Sequence, residues 1–252
     1  MSALALAAAE LEEAAAEDIL RWTYSRFERV AIVASFQAES TVLIDMACQL
    51  VERPDVVTLD TGRLPQETHD QIDRELTAHS LRLHVEVPDP GEVATLTAEH
   101  GANPFYRSIE LRRRCCEVRK TRPLARALGG FDAWVTGLRR EQTRSRAATP
   151  VVSEDRAHGG IAKVAPLARW SEDQVWTYLR ARRLEYHELY DRGYRSIGCA
   201  PCTRAVGPEE DPRAGRWWWE REEVKECGLH WAPEHPTKPA VSRGPRPEVG
   251  TS

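Results

Sequence analysis

Val30-Ala31-Ile32-Val33-Ala34-Ser35-Phe36-Gln37-Ala38-Glu39-Ser40 decides the architecture. Five apolar residues in a row, three of them β-branched, predict a strand buried on both faces, as in parallel sheets. The run breaks into a small polar loop, and a helix is expected from Thr41 to Val51. A strand that ends in such a loop before a helix offers backbone N–H groups to an anion, the usual nucleotide position of an α/β sheet. Neither G-x-G-x-x-G nor G-K-[ST] occurs there, which excludes a dinucleotide fingerprint and a Walker loop.

The pattern recurs downstream. Val56-Val57-Thr58-Leu59 runs into Asp60-Thr61-Gly62, and Ala133 to Thr136 runs into Gly137-Leu138-Arg139-Arg140. Each puts polar residues at the carboxyl end of a predicted strand, where open α/β sheets bind ligands. Further strands are expected over Leu81 to Val87 and Ile161 to Ala165, the latter carrying Lys163. Helices are expected over residues 10–27, from Pro65 to Ala78, from Gly91 to His100, from Ser108 to Leu128 and from Ser171 to Arg182. Pro123 predicts a kink or break in the fourth of these. Trp217-Trp218-Trp219 is expected to open a short helical piece and to serve packing, since three indoles bury much apolar area. The fold class is α/β: a mostly parallel sheet flanked by helices, with a mobile C-terminal segment.

The chain has 252 residues, 41% hydrophobic and 29% charged, which suits one large α/β domain with appendages. No apolar run approaches the roughly 18 residues that span a bilayer. Met1 to Ala16 reads as a helix and lacks the basic start of a secretory signal, so a cytoplasmic protein is expected. The net charge of −4 does not point to nucleic acid. Basic residues are nonetheless concentrated, with eight Arg or Lys between Arg107 and Arg126 and four Arg between Arg139 and Arg146. Such local concentration on an acidic chain points to a small anionic ligand, while the outer members of Arg112-Arg113-Arg114 also fit a solvated helix face.

Four of the six cysteines fall in two places, Cys115-Cys116 and Cys199-Ala200-Pro201-Cys202. Four thiolates suit zinc or an iron–sulfur cluster. Adjacent residues on a helix point in different directions, so two neighbours grip one ion poorly. A cluster has several iron corners, which favours iron–sulfur. A redox dithiol and ordinary buried thiols remain alternatives on these residues alone. Cys48, among apolar neighbours, reads as a core thiol.

These pieces together resemble one family, the assimilatory adenylyl-sulfate (APS) reductases, related to the PAPS reductases and ATP sulfurylases. The resemblance covers about residues 25 to 230. It is carried by Leu59-Asp60-Thr61-Gly62 with Pro65-Gln66-Glu67-Thr68, by Cys115-Cys116-Glu117-Val118-Arg119-Lys120, and by Thr136-Gly137-Leu138-Arg139-Arg140-Glu141-Gln142 with Arg144. Gly193-Tyr194-Arg195-Ser196-Ile197-Gly198-Cys199-Ala200-Pro201-Cys202-Thr203 and Glu226-Cys227-Gly228-Leu229-His230 complete it. The resemblance implies an adenine nucleotide alpha hydrolase-like fold. Residues 35–40 correspond to a modified pyrophosphatase loop. ATP-cleaving relatives show S-G-G-K-D-S there; this chain keeps Ser35 and Ser40, has Glu39 for the Asp, and lacks the Lys and both Gly. That departure fits a ligand with one phosphate and one sulfate.

The resemblance further implies a [4Fe–4S] cluster on Cys115, Cys116, Cys199 and Cys202, a feature of the APS-type enzymes. Cys227 matches the catalytic nucleophile. Lys120, Arg213, Arg216 and His230 are expected around the sulfate, Arg139, Arg140 and Lys163 at further anion contacts, and Ser35, Ser40, Leu59 and Gly137 as other substrate contacts. The implied reaction reduces APS to sulfite and AMP through a Cys227 thiosulfonate, with thioredoxin or a glutaredoxin-like dithiol as donor. The alternatives are a PAPS reductase and an ATP-dependent RNA-thiolating sulfurtransferase. The implied organisation is a reductase domain over 1–202, a segment over 203–230 carrying the catalytic cysteine, and a disordered tail over 231–252. No nucleic-acid or membrane partner is expected, and a homo-oligomer is compatible with the sequence.

Overall fold

The computed structural model describes residues 2–220. The expected tail over 231–252 lies outside the described residues. In chain order the elements are α1 (Ala3–Glu10), α2 (Ala16–Arg26), β1 (Val30–Val33), α3 (Ala38–Cys48), β2 (Asp55–Leu59), α4 (Gln66–Ala78) and β3 (Arg82–Glu86). They continue as α5 (Pro90–His100), α6 (Ile109–Cys116), α7 (Arg122–Leu128), β4 (Ala133–Thr136), β5 (Val152–Asp155), β6 (Ile161–Val164) and α8 (Glu172–Arg182).

The six strands form one sheet in the order β3-β2-β1-β4-β6-β5. Every pairing is parallel except β5 with β6. The chain leaves β1 toward β2 and β3, then returns to the other side of β1 as β4. The order therefore reverses between β1 and β4, and the crevice beyond their carboxyl ends is where such sheets bind ligands. Alternate residues of the central strands serve opposite faces. Val30 and Ile32 pack with Ile19 and Leu20 of α2, Val42 and Ile44 of α3 and Val175 and Leu179 of α8. Ala31, Val57 and Trp134 pack with Leu124 and Leu128 of α7. A third apolar group, apart from the sheet, joins Leu96, Phe105, Val118 and Trp217 to Cys115, Cys199 and Cys202.

Several local expectations are corrected. The helix expected from Met1 to Ala16 is α1, Ala3–Glu10, and the helix expected over residues 10–27 is α2, Ala16–Arg26, with a break over residues 11–15 between them. Within that break Glu12 and Glu13 reach Arg140 and Arg169, tertiary partners that local propensity cannot register. The strand β5 was not anticipated, because Val152-Ser153-Glu154-Asp155 is short and mostly polar, as sheet edges often are. Near Pro123 the backbone stays helical but widens into a π-helical turn over Glu117–Thr121, where the N–H of Arg122 bonds to the carbonyl of Glu117. Pro123 then occupies the first turn of α7, where its missing N–H costs little. Trp217-Trp218-Trp219 forms a turn rather than a helix, behind an antiparallel bridge between Thr203 and Arg216. Among the described residues no helix is long and apolar enough to cross a membrane.

Candidate active site

A cavity of about 540 Å³ opens at the carboxyl ends of β1, β2 and β4. The loop between β1 and α3 forms one wall. Ser35 donates its backbone N–H to Ser40 Oγ at 3.1 Å, and Ala38 donates its N–H to the Tyr190 hydroxyl at 3.2 Å. The Gln37 side chain donates to Ser35 Oγ at 2.9 Å. Phe36 turns the loop with φ +55° while burying its ring. On the facing wall Gly137 follows β4, and a Cβ there would stand 2.7 Å from the Cβ of Glu39. Only glycine allows that approach. Glu39 in turn accepts from Arg139 Nε and from Gln142 Nε2, both at 2.9 Å. Arg139 is buried and also pairs with Glu141 at 3.2 Å.

The cavity is electropositive although the chain is acidic. Lys120, Arg139, Arg144, Arg146, Arg195, Arg213 and Arg216 line it against Glu39, Glu141, Glu172 and Asp211. Seven basic groups facing four acids, on a scaffold of net charge −4, concentrate positive potential in one cleft. Arg213 reaches Ser196 Oγ at 3.4 Å, and Arg216 donates to the Ile197 carbonyl at 3.1 Å. The Arg216 guanidinium also lies 4.8 Å from the centroid of the Trp217 ring.

Next to this cleft is a smaller cavity of about 20 Å³, bordered by Cys115, Cys116, Cys199 and Cys202 together with Arg63, Arg112, Arg119 and Lys120. Lys120 lines both cavities. The two cysteine pairs come together because α6 ends at Cys116 and because residues 200–202 form a single 3₁₀ turn between Cys199 and Thr203. Thr61, at the end of β2, holds its hydroxyl 3.2 Å from Cys199 Sγ. Arg119 donates to the Thr61 carbonyl at 2.7 Å. Arg112 makes a two-point ion pair with Glu220, 2.9 Å at each point, with both side chains buried.

Burial pushes the Cys202 thiol up to about 12 and raises Cys115 as well. Lys120 and Arg216 act against the first shift, Arg119 and Arg63 against the second. Among the described residues no group of three or more His, Cys, Asp or Glu is arranged to hold a metal ion. The four thiols instead border a common cavity. Among the described residues two buried donors beside them, Arg119 Nε and Trp217 Nε1, have no hydrogen-bond partner. Four thiols, surrounding cations and orphaned donors are a donor set that fits an anionic sulfur-rich cluster, since each element would be satisfied by one.

Of the expected substrate contacts, Ser35, Ser40, Leu59, Lys120, Gly137, Arg139, Arg213 and Arg216 line the large cavity. Arg140 and Lys163 are not among its lining residues. Arg140 is turned away by Glu12, which takes both its terminal nitrogens at 2.6 and 3.0 Å, while its Nε bonds to the Thr149 carbonyl. Lys163 rests 4.9 Å from the Trp134 ring centroid, and burial lowers its pKa. Cys227 and His230 lie outside the described residues. Arg144, Arg146 and Arg195 also line the cavity without having been singled out as contacts. The density of arginine between 139 and 146 was the signal for the first two, and the Gly193–Thr203 stretch contained the third.

A phosphoadenosine phosphosulfate reductase domain model matches residues 29–205. An adenosine 5'-phosphosulfate reductase of Allochromatium vinosum is 44% identical over 235 residues, spanning 92% of this chain and 91% of that protein. One from Burkholderia cepacia is 46% identical over 205 residues, 81% of this chain and 82% of its own. Among solved structures, a phosphoadenylyl-sulfate reductase from Candida auris in a phosphate complex superimposes with a TM-score of 0.69 at 26% identity, covering 82% of this chain and 98% of that one. An FMN adenylyltransferase of Candida glabrata shares the fold alone, with a TM-score of 0.55 at 14% identity over 86% of this chain and 76% of that one. With the domain matched from β1 through the second cysteine pair, the chain belongs to the phosphoadenosine phosphosulfate reductase family and is an oxidoreductase of sulfate reduction.

Proposed function

We propose that the protein reduces adenosine 5'-phosphosulfate to sulfite and AMP, with Cys227 as nucleophile and a thioredoxin- or glutaredoxin-like dithiol as donor. The observation that carries this reading is the cationic cleft at the β1/β4 crossing, joined through Lys120 to the cavity bordered by four thiols. The names of the two relatives from Allochromatium vinosum and Burkholderia cepacia support APS as substrate. The loop supports it too, because the N–H groups of Ser35 and Ala38 are already bonded to Ser40 and Tyr190. A nucleotide triphosphate tail would need such groups free.

The chemistry follows from the groups present. The cleft's arginines match tetrahedral oxyanions with forked donors, and Lys120 offers a point charge. Binding there would neutralise the phosphosulfate and orient its sulfur. The Cys227 thiolate attacks that sulfur, forming an S–S bond as the S–O bond to AMP breaks. The electron pair leaves with AMP, whose new phosphate oxyanion the same cations stabilise. A thiolate of the dithiol donor then attacks Cys227 Sγ and displaces sulfite. The donor's second thiol resolves the mixed disulfide, so the donor loses two electrons and Cys227 returns as a thiolate. A [4Fe–4S] cluster on Cys115, Cys116, Cys199 and Cys202 would supply fixed charge beside the cleft. Arg63, Arg119 and Lys120 would balance that charge, and thiols carry both electrons.

The test is sulfite release from APS and from PAPS with thioredoxin, on anaerobically purified protein. Preference for APS is expected. Cys227→Ser is expected to bind APS, retain iron and lose turnover at least 10³-fold, about the scale of removing a nucleophile. Mass spectrometry of wild type exposed to APS without donor should find one SO₃ group on Cys227. Turnover that survives in Cys227→Ser would end the thiosulfonate mechanism, and preference for PAPS would replace the substrate.

A further inference from the structure

We infer that Gln37 is a positioning residue that locks the Ser196-Ile197-Gly198 turn, and through it Arg216, at the anion end of the cleft. The kinetic part of the inference rests on the phosphosulfate reading above. Gln37 lies in the loop between β1 and α3, half-buried, and both ends of its amide are engaged. Its Nε2 donates to Ser35 Oγ at 2.9 Å, and its Oε1 accepts the backbone N–H of Ile197 at 2.7 Å. Only the amide oxygen can accept from a backbone N–H, which fixes the orientation of the side chain. One residue of the nucleotide-side loop thus reaches 160 positions along the chain, to a site two residues before Cys199.

Ile197 is pinned at both backbone groups. Its N–H goes to Gln37, and its carbonyl takes Arg216 Nη1 at 3.1 Å. Gly198 allows this, because a Cβ there would fall inside the Arg216 guanidinium. The cation therefore lies directly on the turn's backbone. Arg213 adds a contact from the same segment to Ser196 Oγ. Among the described residues Arg216 Nε is buried without a partner, and the contacts to the Ile197 carbonyl and the Trp217 ring orient the guanidinium. Ile197 is 5% exposed. Without Gln37 its N–H would be buried and unsatisfied, and the turn must move to reach another acceptor. Any such movement carries the carbonyl away from Arg216.

The test is a double-mutant cycle on the full chain, reading kcat/KM for APS with thioredoxin. Gln37→Met keeps the length of the side chain and removes the acceptor. It is expected to lower kcat/KM about 10-fold, and Arg216→Ala about 100-fold. The double variant is expected to be no worse than Arg216→Ala, because the only purpose of the lock has gone. Additive losses would overturn the inference. The Kd for AMP, which lacks the sulfuryl group, is expected to stay within about twofold in Gln37→Met. A collapse of AMP binding would assign Gln37 to the loop instead and would also overturn it. Hydrogen exchange provides a readout independent of turnover. Protection of the Ile197 amide should fall in Gln37→Met and persist in Gln37→Glu, which keeps an acceptor. If the wild type releases no sulfite from APS, the proposed function fails, and equal Ile197 protection in wild type and Gln37→Met would still refute the lock.

Discussion

Phe36 holds a backbone conformation that glycine would adopt freely, at φ +55° in the loop before α3. The left-handed region costs an ordinary residue roughly 1–2 kcal/mol. A fully buried phenyl ring returns roughly 1.5–3 kcal/mol, so the loop keeps its turn without the glycines expected of ATP-cleaving relatives. The matching glycine is on the other wall. Gly137 faces the Cβ of Glu39, which itself holds Arg139 and Gln142. Gly137→Ala must push α3's first turn away or break these bonds. We predict a loss of about 10-fold or more in kcat/KM for APS, as expected for a displacement near 1 Å. Gly130→Ala, whose Cβ would meet only the Ala127 carbonyl at 3.8 Å, is the control and should change neither activity nor melting temperature measurably. At this scale the sequence was legible wherever chemistry is local. The break after Ala34 and the basic cluster after β4 were readable, but the partners of the arginines were not. Arg139 and Arg140 are adjacent and look alike, yet Glu39 keeps the first at the cleft and Glu12 draws the second away. Those carboxylates lie 100 and 128 residues distant, beyond any pattern of spacing.

Helices α3, α4 and α8 are joined by a buried polar network that periodicity does not show. Asp45 of α3 accepts from Tyr178 at 2.7 Å and from Arg182 at 3.0 and 3.1 Å, both on α8. His79, which ends α4, stands 3.7 Å from Asp45 and 3.0 Å from Glu75. The carboxylates of Asp45 and Glu75 hold His79 protonated and raise its pKa to about 9. A pKa raised on folding from 6.5 gives stability that is complete below pH 6.5 and lost as pH climbs through 9. We predict a loss of up to about 3 kcal/mol across that window, seen as a falling urea midpoint between pH 6.5 and 9.5. His79→Gln should flatten the alkaline limb, and an unchanged slope in that variant would remove His79 from the account. Most of the helices, though not α2, which begins at Ala16 rather than at residue 10, were readable to within a few residues, since their apolar stripes face a sheet. The widened turn over Glu117–Thr121 was not, because Pro123 signals a break equally well whether the chain bends or the ladder expands. β5 was missed for the opposite reason. An edge strand needs few apolar residues, so it leaves little pattern to find.

The molecule has two packing regions that would depend differently on a cluster in the thiol cavity. The sheet core is built from aliphatic side chains of β1, β2, β4 and β6 between helices, and it needs no further group. The second region joins α6, the turn at 200–202 and the stretch at 216–219 around Cys115, Cys199 and Cys202. Its other supports are polar. Arg112 and Glu220 pair inside it, and Trp217 lies 4.4 Å from the Arg112 guanidinium. A buried pair of this kind costs several kcal/mol in desolvation and holds only while its geometry is kept. If the cavity loses an anionic cluster, Arg63, Arg119 and Lys120 lose the counter-charge that the cluster would supply. The second region should therefore loosen while the sheet stays folded. We predict that stripping iron with chelator abolishes visible absorption and raises amide exchange at least about tenfold over residues 104–121 and 196–219. Protection of β1, β2 and β4 should change by less than about twofold. The cleft spans both regions, with Ser35, Leu59 and Gly137 on the sheet side and Ile197, Arg213 and Arg216 on the other. Stripped protein should consequently keep weak affinity for AMP and lose its preference for APS over AMP. Exchange that rises equally across the sheet would show one cooperative unit, and exchange that does not rise at all would show that the cysteine region stands without the cluster.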